Sequence, residues 1–177
     1  MFERYTEKAR RVIFFARYKT SRFGSPYIES EHLLLGIVRE DKALTNRFLR
    51  SEVASIRKQV ETQTTTREKT STSVDLPLSN ESKRVLGYAG EEADRLAHKH
   101  IGTEHLLLGS LREEKCFAAQ ILVEQGVRSS EVCEELARQP HHAAQWQKRP
   151  SVHYELSSYI SDLADQTVKK LVGSAND

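Results

Sequence analysis

The stretch Ile101-Gly102-Thr103-Glu104-His105-Leu106-Leu107-Leu108-Gly109 occurs a second time, as Ile28-Glu29-Ser30-Glu31-His32-Leu33-Leu34-Leu35-Gly36. The copies lie 73 residues apart, and the match continues on both sides without a gap. It runs through apolar, charged and glycine positions alike, and it places Arg39-Glu40 on Arg112-Glu113. A match of this kind indicates a tandem duplication, around which the rest of the chain is organised.

Length and composition suit one ordinary domain, or two small units that share a core. The chain has 177 residues, and a unit of about 70 residues is marginal alone. The formal charge of +2 is too small to indicate nucleic-acid binding by charge alone. The N-terminus is charged where a secretory signal needs an apolar core, and the apolar runs are too short to span a membrane. With two cysteines and no signal peptide, we expect a cytoplasmic protein with reduced thiols.

Each copy predicts a small bundle of about four helices. In the first copy, an apolar stripe at helical spacing predicts a helix over Thr6–Ser21, with Thr6 as its N-cap. Ser30 is the expected cap of the next helix, whose body Leu33–Val38 is apolar nearly all round and should be central. Gly36 inside this helix predicts a closely crossing neighbour. Two short amphipathic patterns predict further helices over Ala43–Leu49 and Val53–Val60.

The duplication sets the domain boundaries. Residues 2–60 form the first repeat, the polar Thr- and Ser-rich residues 61–75 a linker, and residues 76–138 the second repeat. In the second repeat, Ser79 takes the place of Thr6 and Thr103 that of Ser30. Residues 139–177 lie outside the duplication, and their apolar spacing after Ser151 predicts an amphipathic helix that packs on its own domain or mediates self-association.

The start Phe2-Glu3-Arg4-Tyr5-Thr6-Glu7-Lys8-Ala9 and the two [Ser/Thr]-Glu-His-Leu-Leu-Leu-Gly segments closely resemble the duplicated N-terminal (Clp repeat) domain of Clp-family AAA+ unfoldases, especially the ClpC type. The resemblance covers roughly residues 2–138. It implies an all-α fold of two pseudo-twofold-related four-helix repeats, followed here by an extra C-terminal helix. In the unfoldases this domain receives adaptors and substrates and performs no chemistry. No Gly-x-x-x-x-Gly-Lys-[Ser/Thr] loop occurs in the chain, so it is either a fragment of a longer protein or a free-standing Clp-repeat protein, and the tail favours the latter.

Glu31 and Glu104 are the leading candidates for ligand binding. Each follows a helix-start hydroxyl, where a carboxylate gains from the helix dipole, and that stabilisation alone would account for both. A carboxylate also accepts a guanidinium bidentately, while helix N-terminal amides suit a phosphate. The resemblance implies that these glutamates bind phosphoarginine, Glu31 together with Thr6 and Glu104 together with Ser79. Glu29 stands where the other copy has glycine, and its negative charge predicts a weaker first site.

The remaining polar residues give weaker signals. His32 and His105 are expected to be partly buried and hydrogen-bonded rather than metal ligands, because neither a His-Glu-x-x-His motif nor a ligand-type cysteine pair occurs. No nucleophile stands in a recognisable setting, so we predict neither an enzyme nor a cofactor or metal. Phe2 and Tyr5 resemble the family's adaptor-docking surface, with packing of the first helix as the equally weighted alternative.

Together these features favour a non-enzymatic module that binds proteins. We expect it to recognise substrates or adaptors of a Clp-type unfoldase–protease system. Its expected partners are proteins (adaptors, client proteins or an AAA+ unfoldase), not nucleic acids or membranes. The alternative is a structural protein that forms a homodimer through the C-terminal helix.

Overall fold

The part of the chain that the structure describes is all-α, as predicted. The computed structural model describes residues 3–49, 53–64 and 76–138. Within these ranges it contains eight helices: α1 (Glu7–Phe23), α2 (Ser30–Glu40), α3 (Lys42–Phe48), α4 (Val53–Gln63), α5 (Asn80–Arg95), α6 (Thr103–Arg112), α7 (Phe117–Glu124) and α8 (Ser129–Arg138). The helix predicted for the tail, most of the predicted linker and Phe2 lie outside the described residues. Helix α4 extends three residues into that predicted linker.

The first helix of each repeat begins as its sequence predicts. The Thr6 hydroxyl accepts the Ala9 N–H at 3.1 Å, and the Ser79 hydroxyl accepts the Ser82 N–H at the same distance. Helix α1 ends at Gly24, whose φ of 68° is left-handed and suits glycine. These contacts satisfy backbone groups that a helix end otherwise leaves without partners.

The second helix of each repeat begins one residue earlier than predicted. Ser30 and Thr103 are the first helical residues, and the caps are Glu29 and Gly102. The cause is the histidine two residues after each predicted cap. Nδ1 of His32 accepts the Glu29 N–H at 3.1 Å, and the histidine of the second repeat accepts the Gly102 N–H at 2.8 Å. The imidazole thus does the work that Glu or Gln does in a capping box.

Helices α2 and α6 lie at the centre of the fold. Leu33, Leu34, Leu106 and Leu107 are completely buried, which confirms the prediction made from the apolar run. Buried residues of both repeats belong to the same two hydrophobic clusters. The repeats therefore share a core, and neither has to bury enough apolar surface alone.

The glycine inside each central helix allows a close helix crossing. A Cβ placed on Gly36 would lie 2.5 Å from the Val12 carbonyl oxygen of α1. A Cβ placed on Gly109 would likewise collide with the Val85 carbonyl oxygen of α5. Backbone atoms occupy this space in both repeats, so the sequence prediction of a crossing neighbour is confirmed.

Two short backbone bridges cross between the repeats. Tyr5 pairs with Ile101, and Ile28 pairs with Leu78. At the 73-residue offset, Tyr5 is equivalent to Leu78 and Ile28 is equivalent to Ile101. The two bridges are therefore equivalent, as a pseudo-twofold relation requires. Tyr5 is only 8% exposed and its hydroxyl donates to the Leu86 carbonyl at 3.4 Å. Its side chain therefore packs the first helix, and its burial does not support the predicted role in adaptor docking.

Candidate functional site

The predicted site residues come together in pairs, and each pair joins a residue of one repeat to a residue of the other. The Thr6 N–H donates to the Ile101 carbonyl at 2.9 Å, which places the start of α1 beside the start of α6. The Ser79 N–H donates to the Ile28 carbonyl at 3.0 Å, which places the start of α5 beside the start of α2. The structure therefore corrects the expected pairing: Thr6 lies with Glu104, and Ser79 lies with Glu31. We call these the Thr6–Glu104 site and the Ser79–Glu31 site.

The Thr6–Glu104 site contains both acidic and basic groups. The Thr103 hydroxyl donates to Asp41 Oδ2 at 2.6 Å, and Lys8 Nζ lies 3.6 Å from the same oxygen. Asp41 is itself the N-cap of α3, since its Oδ1 accepts the Leu44 N–H at 3.1 Å. These contacts fix the Asp41 side chain and keep the ammonium group of Lys8 close to the site.

Gly102 leaves room for the Glu104 carboxylate. A Cβ at this glycine would collide with both carboxylate oxygens of Glu104. The Glu104 side chain keeps 28% of its surface exposed, so it is partly accessible from solvent. Partial burial raises the pKa of Glu104, the charge of Asp41 raises it further, and the charge of Lys8 opposes both effects. A cationic ligand would favour the ionised form.

The Ser79–Glu31 site is more closed and more acidic. Glu31 is only 8% exposed, and the Ser30 hydroxyl donates to its Oε2 at 3.3 Å. Burial, together with the hydrogen bond and charge of Glu29, raises the pKa of Glu31 to about 7. The offset also places Glu81 where the other site has Lys8. The carboxyl groups of Glu29, Glu31 and Glu81, at the starts of α2 and α5, thus replace the mixed charges of the first site, and a phosphate would be repelled.

Both capping histidines are fully buried, with exposures of 0% for His32 and 1% for His105. Burial lowers the pKa of each to about 4, aided by the charge of Lys19 for His32 and by His98 and Arg4 for His105. Both are therefore neutral at pH 7. Because Nδ1 accepts a backbone N–H, the proton is on Nε2.

The two Nε2 protons meet different surroundings. His105 Nε2 lies 2.9 Å from His98 Nδ1, so it has an acceptor. His32 Nε2 is buried without a hydrogen-bond partner among the described residues, and its ring stacks on Phe23 at 5.7 Å between centroids. The prediction of hydrogen-bonded, partly buried histidines therefore holds only in part.

One group of side chains has the composition of a metal site. His98, Glu104 and His105 each place a ligand atom within 4.8 Å of the others. Both ring nitrogens of His105 already face hydrogen-bond partners, one the Gly102 N–H and the other His98. A metal ion would have to displace one of them, so the arrangement fits a hydrogen-bonded histidine pair better than a coordination sphere.

The cysteines are free thiols, as predicted. Cys116 is buried and caps α7, its sulfur accepting the Ala119 N–H at 3.4 Å, while Cys133 is half-buried. Across the described ranges, every helix is too short or too polar to cross a bilayer.

The sequence analysis singled out Gly102 by its contrast with Glu29, but it did not identify Asp41 or Lys8 as residues of the Thr6–Glu104 site. Asp41 follows the end of α2 and carries no motif. Lys8 and Gly102 each had a readable signal, because the duplication aligns them with Glu81 and Glu29. In both alignments the Ser79–Glu31 site has a glutamate where the Thr6–Glu104 site has a neutral or basic residue. The two differences fall in one site because each site combines residues of both repeats.

Comparison with known proteins places this geometry in a family context. Residues 4–125 match the family model described as "Clp repeat (R) N-terminal domain". Over 141 residues, 78% of this chain, the sequence is 37% identical to "ATP-dependent Clp protease ATP-binding subunit ClpA homolog, chloroplastic" of Brassica napus and to "Chaperone protein ClpC1, chloroplastic" of Arabidopsis thaliana. The chain spans only 16% and 15% of the lengths of these two relatives.

Solved structures show the same fold. The N-terminal domain of the chaperone ClpD from Arabidopsis thaliana matches with a TM-score of 0.61 and 26% identity, over 77% of this chain and 94% of that one. The Hsp104 N-terminal domain from Candida albicans matches with a TM-score of 0.62 over 77% of this chain and 91% of that one, at 16% identity.

Proposed function

Because the chain belongs to the Clp repeat (R) N-terminal domain family, we propose that it is a non-enzymatic module that recognises substrates or adaptors of a Clp-type unfoldase, and that its Thr6–Glu104 site binds phosphoarginine. The observation that carries the proposal is that the start of α1 in one repeat lies beside the partly exposed carboxylate of Glu104 in the other.

The Thr6–Glu104 site offers complementary groups for the two ends of phosphoarginine. The Glu104 carboxylate suits the guanidinium, since carboxylates accept such donors in pairs. The first N–H groups of α1, the dipole of this helix and Lys8 suit the phosphate. Asp41 fixes the Thr103 side chain through a 2.6 Å hydrogen bond and keeps the Lys8 ammonium nearby, at 3.6 Å.

The Ser79–Glu31 site supports binding less well. Its carboxyl at Glu31 is half protonated near pH 7 and is buried, which weakens its attraction for a guanidinium. Glu29 and Glu81 add negative charge where the phosphate would lie. We therefore assign recognition chiefly to the other site.

Isothermal titration with free phosphoarginine tests this proposal. We expect Glu104→Gln to weaken binding at least tenfold, because a charge-assisted pair contributes about 1.5–3 kcal/mol. The matched variant Glu31→Gln should change the affinity less than twofold, and arginine and phosphoserine should each bind more weakly than phosphoarginine. The proposal fails if the parent protein does not bind, or if both variants lose equally while circular dichroism shows them folded.

A further inference from the structure

A group of basic side chains lies on the first repeat, far from the Thr6–Glu104 site. Lys19 is near the end of α1, about 20 Å along the helix axis from Thr6 at a rise of 1.5 Å per residue. Its Nζ lies 5.7 Å from the ring centroid of Phe15 and 5.6 Å from that of Phe23. The other members are the exposed residues Arg22 of α1, Arg39 of α2 and Arg57 of α4. We call these four bases the Lys19 cluster.

The second repeat has a neutralised version of the same cluster. Glu92 of α5 is only 8% exposed. Its carboxylate accepts hydrogen bonds from Arg95 at 2.6 and 2.9 Å and from Arg112 at 3.3 Å. Arg95 also donates to the sulfur of Cys133 at 2.9 Å. One buried carboxylate thus holds two arginines.

The duplication superimposes the two clusters position by position. The 73-residue offset pairs the first three members with their counterparts: Lys19 with Glu92, Arg22 with Arg95, and Arg39 with Arg112. The two arginines are kept, but the carboxylate that holds them is replaced by an ammonium group. The first repeat therefore lacks its own internal anion at this position.

The charges around Lys19 are only partly compensated by neighbouring carboxylates. Burial lowers the pKa of Lys19, and the charges of Arg57, Arg22 and Arg39 lower it further, against the opposing carboxylate of Glu61. Arg39 itself pairs with Glu40 at 3.4 Å. Within the described ranges, no carboxylate comes within 4.0 Å of Lys19, Arg22 or Arg57.

Helix composition shows the same asymmetry. Helix α1 carries six basic side chains and one acidic one, whereas α5 carries three basic and four acidic ones. An open cleft of about 470 Å³ adjoins the cluster. Its lining includes three basic residues and one acidic one: Arg39, Lys42, Arg57 and Glu40. The cleft can take residues that flank an anion bound at Lys19.

We propose that the Lys19 cluster is a second interaction surface, which binds an acidic segment of a partner protein. A partner Asp or Glu carboxylate takes the place that the carboxylate of Glu92 has in the second repeat. A nucleic acid fits less well, because its binding comes from the neutralisation of several phosphates, whereas the counterpart cluster of the second repeat holds a single carboxylate and the whole chain carries only +2.

Fluorescence anisotropy with a labelled (Glu-Ala)₆ peptide, compared with (Gln-Ala)₆, tests this surface. We expect the parent protein to bind the Glu peptide and not the Gln peptide. Lys19→Glu, which installs the charge found at Glu92, should weaken binding at least tenfold, and Arg57→Ala at least threefold. Lys99→Glu changes an exposed lysine by the same charge and should alter the affinity less than twofold.

Several outcomes would overturn the proposal. They are no binding of the Glu peptide, equal binding of the Gln peptide, or equal losses for Lys19→Glu and Lys99→Glu in folded protein. Tighter, Lys19-dependent binding of a 12-nucleotide single-stranded DNA would assign the surface to nucleic acid instead. Phosphoarginine titration of Lys19→Glu should match the parent, so failure of this proposal is distinguishable from failure of the phosphoarginine site.

Discussion

Lowering the pH from 7 to 5 is expected to destabilise the fold through its two buried histidines. His32 and His105 each have a pKa of about 4 in the fold and an ordinary value of 6.5. The unfolded chain therefore binds more protons than the folded one between these values, so stability falls as the pH drops through this window. Linkage gives a loss of about 2 kcal/mol per histidine between pH 7 and pH 5.

Glu31 acts in the opposite direction. Its pKa is raised from 4.5 to about 7, so at pH 7 keeping this buried carboxyl partly ionised destabilises the fold. Acidification removes that cost and returns about 2 kcal/mol over the same interval. The two histidines and Glu31 together therefore lower the free energy of unfolding by about 2 kcal/mol between pH 7 and pH 5. The raised pKa of Glu104 makes this loss somewhat smaller.

Urea denaturation at pH 7, 6 and 5, followed by circular dichroism, measures these contributions through variants. Glu31→Gln should increase the acid-induced loss by about 2 kcal/mol, because it removes the compensating group. His105→Asn keeps an acceptor for the Gly102 N–H and should reduce the loss by about 2 kcal/mol, whereas the exposed control His100→Asn should not. If His105→Asn and the parent lost the same stability, the histidine would not be neutral and buried as described.

Two further predictions concern packing and burial. Gly36→Ala should destabilise the protein by about 1–3 kcal/mol, because its Cβ would meet the Val12 carbonyl, while Gly87→Ala, with nothing within 4 Å, should stabilise it by about 0.5–1 kcal/mol. Urea midpoints should therefore shift in opposite directions, and shifts in the same direction would contradict the helix crossing. Ellman's reagent should react quickly with Cys133 alone in the native protein, because burial raises the pKa of the Cys116 thiol and shields it. Two fast thiols in native protein would refute that burial.

Much of the fold follows from the sequence because the duplication repeats its own signals. A helix that is apolar nearly all round, such as Leu33–Val38, is stable only at the centre of a bundle. The equivalent run in the second repeat makes the same prediction. Gly36 and Gly109 likewise indicate a close crossing, because a glycine inside a helix is otherwise destabilising and here it occurs in both copies. The predicted caps of α2 and α6 were off by one residue because hydroxyls are the usual caps, whereas here a histidine at N3 accepts the N–H of the residue before each hydroxyl.

The sequence could not predict that Thr6 lies with Glu104 and Ser79 with Glu31. A tandem repeat shows which residues are equivalent, but not which copy each residue meets. That choice is made by tertiary contacts, here the backbone bridges of Tyr5 with Ile101 and of Ile28 with Leu78. The exchange of Glu92 for Lys19 was visible in the aligned copies, yet its meaning required the hydrogen bonds that Glu92 makes.

Joint recognition by the two repeats is tested most directly by a ¹H–¹⁵N NMR titration with phosphoarginine. We expect the amide signals at the start of α1, from Thr6 to Ala9, to move together with those of Gly102–Glu104, and to follow one binding curve. Signals around Ser79 and Glu31 should respond only at much higher ligand concentrations. Movement of Thr6 together with Glu31, or no movement at either helix start, would contradict a site built from both halves of the chain.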